Sequence, residues 1–200
     1  MKKAIVAGVL GLTALSAQAF TINKVESVKI YEFNEILNRN IGQPVNLWVG
    51  IDDDGKEYVQ LDIDTGLKTF KIEMPDYKNN ETFLEWKYML DKTVEWAKVA
   101  KENKVDVEKD FRGEKNILNC TDSQFYCGGS FGAHSDGKYS NMSVYMQDKS
   151  NEFYKIHGKV LLEDVMKLKT AVDNIDKKIA ERKASLKDKP QGIKKEALFK

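Results

Sequence analysis

The feature that most constrains the fold is a change of hydrophobic period near residue 75. Before it, apolar residues alternate. Val45, Leu47, Val49 and Ile51 share one side of an extended segment, as do Val59, Leu61 and Ile63, and then Phe70, Ile72 and Met74. Period two is the pattern of a strand with one buried face. Asp52-Asp53-Asp54-Gly55 and Thr65-Gly66 supply turns between these strands, and Pro75 ends the third. After it, Phe83, Trp86, Leu90, Val94 and Ala97 recur at steps of three and four. That spacing predicts an amphipathic helix over 82–102, with Thr82 and Glu85 at capping-box spacing, covering the apolar face of the sheet.

The order then repeats in shorter form. Val144 and Met146 suggest a strand, Asp148 to Asn151 a turn, and Phe153 with Ile156 another strand. From about Leu161 there is a heptad-like seam: Leu161, Val165, Leu168, Val172, Ile175 and Ile179, with Arg182 and Leu186 continuing the register. It predicts one long C-terminal helix, docked on its own domain or pairing with a second copy, and ended by Pro190 and Gly192. The stretch Arg112 to Met142 shows neither period and reads as a long loop. The predicted fold is therefore α+β: an antiparallel β-sheet of about four to six strands built from hairpins, packed by one amphipathic helix, plus a long C-terminal helix.

The amino terminus predicts a compartment. Lys2 and Lys3 precede an apolar run from Ala4 to Ala14, and Ala17-Gln18-Ala19 is a small-x-small cleavage site. This is the layout of a bacterial signal peptide, too short in its apolar part to span a bilayer. Residues 1–19 read as that peptide, 20–188 as one domain ending in the long helix, and 189–200 as a basic flexible tail. The expectation is a periplasmic or secreted protein with no membrane span. The chain carries 32 basic and 31 acidic residues, but nine of the basic ones lie in 177–200 against three acidic ones. Such a tail can attract anionic surfaces. In an exported chain Cys120 and Cys127 read as a disulfide, adding about 2–3 kcal/mol by loop closure and tethering the residues between them.

Several constellations resemble catalytic or metal-binding patterns, and each lacks its context. Gly128-Gly129-Ser130-Phe131-Gly132 matches G-x-S-x-G, with His134 or His157 as base and Asp136 or Asp148 as orienting group. A nucleophile elbow, however, needs a strand before the serine and a helix after it. Asp64-Thr65-Gly66 matches an aspartic-protease triplet but occurs once and sits in a turn. Asp52-Asp53-Asp54 lacks calcium-loop spacing. Cys120, Cys127, His134 and His157 lack the tight knuckles of structural zinc. No metal or cofactor is expected, and no Gly-rich strand-to-helix turn points to a nucleotide or nucleic acid.

The reading is an exported interaction protein without catalysis, of inhibitor, immunity or exclusion type, acting on an envelope or incoming protein. Its expected contact surface is the glycine-rich, bridge-tethered loop with Tyr126, Phe131, His134 and Tyr139. The alternatives are a small serine hydrolase using Ser130 and an assembly component that dimerises through the last helix.

Overall fold

The computed structural model describes residues 21–52, 54–111, 125–135, 139–151 and 153–187. Its centre is one antiparallel sheet of eight strands: β1 (Thr21–Asn34), β2 (Arg39–Ile51), β3 (Glu57–Asp64), β4 (Thr69–Pro75), β5 (Val107–Asp110), β6 (Phe125–Ala133), β7 (Ser140–Asp148) and β8 (Lys155–Leu161). Helix α1 (Glu81–Asn103) follows β4, while α2 (Leu162–Asp173) and α3 (Ile175–Lys187) follow β8. Strand order is β4-β3-β2-β1-β8-β7-β6-β5, so each group of four forms a meander and the two meet at β1 and β8. Among the described residues no helix is long and apolar enough to cross a membrane.

This corrects the predicted fold in three respects. The sheet has eight strands and is open, rather than four to six. The single long C-terminal helix is two helices, giving three among the described residues. The expected loop over 112–142 contains β6 and the start of β7. Residues 1–19, Cys120 and the tail 189–200 lie outside the described residues.

Strands β2 to β4 and helix α1 lie where the two periods put them. Gly66 takes φ +78° in the β3–β4 turn, and its N–H donates to Asp64 Oδ1 at 2.8 Å. The carboxylate of the protease-like triplet is thus a turn acceptor. Helix α1 begins one residue before Thr82. Asn80 is its N-cap, accepting from the Phe83 N–H at 3.1 Å, so the capping-box spacing is not used.

Helix α1 starts at one edge strand of the sheet and leads to the other. Its 23 residues span roughly 34 Å, close to the seven strand spacings between β4 and β5 in a flat sheet. Along the way it buries Phe83, Trp86, Met89, Leu90 and Ala97. Phe83, Trp86 and Leu90 meet Leu47, Leu61 and Met74 from the first meander, while Trp96 meets Phe111 and Phe131 beside the second. One helix therefore closes the core of both halves. The sheet also curls around it: Lys68 of the β3–β4 turn pairs with buried Asp148 at the end of β7, although their strands lie four places apart.

The C-terminal seam breaks at Asn174, whose backbone (φ −99°, ψ 12°) leaves the helical region. Its side-chain amide donates to the Thr170 carbonyl at 2.8 Å, and its own carbonyl accepts the Lys178 N–H at 3.1 Å. The residue thus ends one helix and opens the next. Val165, Leu168, Val172, Ile175 and Ile179 are all buried in this same chain. Leu161, placed in the seam by its spacing, is instead the last residue of β8 and partly exposed. Lys169 and Lys87 both donate to Asp173, at 2.7 and 2.6 Å, holding that carboxyl below its ordinary pKa, and the bond from Lys87 fixes α2 to α1.

Alternation along β6 places Gly129, Phe131 and Ala133 toward the helices. A Cβ on Gly129 would lie 2.9 Å from Met89 Sδ and 3.3 Å from the Phe111 ring, whereas one on Gly132 would meet nothing closer than 3.6 Å. Gly129→Ala should therefore destabilise by about 1–3 kcal/mol, and Gly132→Ala by less than about 0.5 kcal/mol. Urea melts of the two variants check the assignment of faces.

Candidate functional site

Among the described residues, no helix or strand covers the face of the sheet away from the helices along β5 to β8, and there several side chains are small. Gly128, Ser130 and Gly132 of β6 and Ser143 of β7 form the floor of two adjoining depressions, about 120 and 680 Å³ in volume. Register explains why. Ser130 stands opposite Ser143 on one side and Asp110 on the other, Gly128 opposite Tyr145, and Gly132 opposite Asn141. Larger neighbours make the walls: Tyr145 and Asn141 on β7, His157 and Lys159 on β8, Glu108 and Asp110 on β5.

Charge divides across this trough. The β5 wall is acidic and the β8 wall carries Lys159 and His157. At one end Tyr145 and His157 pack edge to face with centroids 6.1 Å apart, and Tyr145 donates its hydroxyl to Gln147. Beyond the other end His134 and Tyr139 form a second such pair, also at 6.1 Å, where the His134 N–H donates to the Tyr139 carbonyl. Asp106 closes that end. It accepts the Ser135 N–H, which holds its carboxyl below the ordinary range. The chain has two histidines, and both border this one concavity.

The predicted contact residues therefore separate. His134 and Tyr139 are exposed and adjacent. Phe131 is 0 % exposed and faces α1, so it is core and not contact surface, because the segment is a strand whose residues alternate between two faces. Tyr126 and Cys127 belong to β6; nothing is described of their side chains. Cys120 lies outside the described residues, so the bridge rests on sequence alone. The elbow geometry for Ser130 is absent. The serine sits mid-strand with β5 on one side and β7 on the other, and the residues after it continue the strand instead of opening a helix. Backbone N–H groups held in a ladder are not free to form an oxyanion hole.

Sequence reasoning weighs His157 as a candidate base or zinc ligand and misses that the residue is exposed within β8. It also passes over Asn141, Ser143, Tyr145 and Lys159. The signal is present: Asn141, Ser143, Tyr145 and Gln147 alternate with Met142, Val144 and Met146. Only the apolar half of that alternation announces itself as a strand.

No protein-family model, characterised protein or solved structure matches the chain.

Proposed function

We propose that the protein is an exported binding protein without catalysis, of inhibitor, immunity or exclusion type, which recognises an envelope or incoming protein with the open face of β5 to β8. The observation that carries this is the trough itself. It is a polar concavity on a rigid sheet, with a floor of glycine and serine and two histidine–tyrosine pairs at its ends. A partner side chain can descend to the backbone there without displacing any bulky group, and the walls offer hydrogen-bonding groups already held by the ladder. Preorganisation of this kind lowers the ordering cost of association. Export rests on the signal-peptide layout of residues 1–19, and the Cys120–Cys127 bridge belongs to the same reading.

The test is site-specific photo-crosslinking in the periplasm. A photoreactive side chain at Lys159, on the β8 wall of the trough, should give one discrete protein adduct, and the same group at Lys71, on the open face of the other meander, should not. Ser143→Arg, which fills the trough from its floor, should abolish the adduct while leaving the unfolding free energy within about 0.5 kcal/mol of the parent. Covalent capture of Ser130 by a fluorophosphonate would overturn the reading in favour of a hydrolase.

A further inference from the structure

We infer that the groove between β1 and helix α2 is a second docking site, built to receive an extended acidic peptide of a partner protein as an added strand. It is separate from the trough and does not depend on it.

The groove exists because β8 stops short. Tyr31 pairs with Lys159, so antiparallel counting sets Lys29 opposite Leu161, the last residue of β8. There the chain turns directly into α2. Strand β1 continues for eight more residues, to Thr21, paired with β2 on its other side. Among the described residues, no strand pairs with this outer edge of β1. That edge is roughly 26 Å long, and at Val25 and Glu26 it faces α2 and the start of α3 across an open concavity of about 490 Å³.

Two local observations mark that edge as a receptor for a strand. Ser27 and Lys29 lie two and four residues before Tyr31, so their N–H groups point the same way as that of Tyr31, off the β2 ladder. Each is met by a carboxylate: Ser27 by Glu26 Oε1 at 2.8 Å and Lys29 by Asp164 Oδ2 at 3.3 Å. The carboxylate oxygens occupy positions where the carbonyls of a neighbouring strand would stand. Asp164 is buried and also accepts from Lys167 at 2.7 Å, so it is a fixed end-stop. Glu26 is only half-buried and bonds its own neighbour, so an incoming carbonyl can replace it. The described strands show one register shift, the bulge between Lys24 and Glu26, and it falls within this groove. So does the helix break at Asn174. Bulges commonly mark places where a strand edge is shaped for a purpose.

Charge selects the occupant. Val25, Met166 and Ala171 give an apolar lining, and Lys167, Lys177 and Lys178 form a rim in which they outnumber the one lining carboxylate, Glu26. Lys167 pairs with Asp164 and Lys178 with Glu181, the latter an exposed pair that an incoming carboxylate can exchange. Main-chain bonding to an edge supplies affinity in strand addition, and side chains on alternate positions supply specificity. An extended segment alternating acidic and apolar residues matches both the rim and the lining.

The probe is a short fluorescein-labelled peptide alternating glutamate and valine, compared with one alternating lysine and valine. Anisotropy should show binding of the glutamate peptide to the purified protein and none of the lysine peptide. The Val25 and Ser27 amides should become protected from hydrogen exchange. Lys177→Glu with Lys178→Glu should weaken binding about tenfold, while the fold is retained because both side chains are exposed and acidic groups suit the first turn of a helix. Ser143→Arg should leave peptide binding unchanged, which separates this site from the trough. Failure of the glutamate peptide to bind, binding indifferent to the double reversal, or protection of those amides by self-association without peptide would each overturn the proposal.

Discussion

Phe131→Ala is expected to lower stability by about 3–5 kcal/mol, the range for removing a fully buried aromatic ring. Phe131 is 0 % exposed. Its ring lies edge-on to Trp96 with centroids 5.7 Å apart, and Trp96 stacks on Phe111 at 5.4 Å with an interplanar angle of 13°. Lys109 Nζ also lies over the Trp96 ring, 4.4 Å from its centroid. The ring therefore anchors a stack joining α1 to β5 and β6. Truncation leaves a cavity beneath the second meander that no neighbouring flexible chain can fill without giving up its own contacts. Tyr139→Ala, at a residue 62 % exposed, should cost less than about 0.5 kcal/mol. Guanidinium melts of both variants check the pair. The reverse order would place Phe131 at the surface and remove the face assignment on which the trough depends.

The physical reason this residue reads as a loop contact in the sequence also explains which parts of the fold were legible there. Strands β2 to β4 alternate cleanly because the face under the helices is apolar while the other carries polar groups, which in β3 are themselves buried and include the Gln60–Asp62 hydrogen bond; α1 shows its period because it crosses the whole core. Strand β6 is different. Its sequence Phe-Tyr-Cys-Gly-Gly-Ser-Phe-Gly-Ala has glycine on both faces. The inward Gly129 makes room for Met89 and Phe111, and the outward Gly128 and Gly132 floor the trough. Glycine erases the very alternation that marks a strand. Strand β1 is hidden for a second reason. The bulge at Val25 shifts the register, so Ile22, at an even spacing from Val28 and Ile30, is exposed while they are buried, and Lys24 and Glu26 interrupt the apolar alternation between them. The site was half legible for a related cause: its walls come from polar positions of β5, β7 and β8, which carry no hydrophobic period, and only strand order brings them together.

The helix break has the same origin, and its consequence is the second large effect. A heptad seam specifies which side chains share a stripe but not whether the backbone beneath them is continuous. Asn174 lies between seam positions, so it leaves the apolar spacing intact while redirecting the chain. After the break, Ile175 and Ile179 pack into the core of their own chain. Tyr77 and Lys78, just beyond β4, hold the first turn of α3 through Asp176, whose carboxyl they keep below its ordinary pKa. Lys183 pairs with Glu57 of β3 further along. Ile175 is 4 % exposed, so Ile175→Asp buries a carboxylate where apolar contact was. The chain must then protonate it, undock α3 or unfold. The expected cost is about 3–5 kcal/mol, and because the seam is satisfied within one chain, light scattering of the parent should give a single-chain mass. The variant should melt earlier at that same mass. A parent dimer that dissociates on Ile175→Asp would instead mean that the seam pairs between copies and that α3 leaves its core position to do so. Ala180→Asp separates lost packing from altered helix propensity: it lies on the exposed side of the same helix, carries the same charge, and should lower stability by less than about 1 kcal/mol.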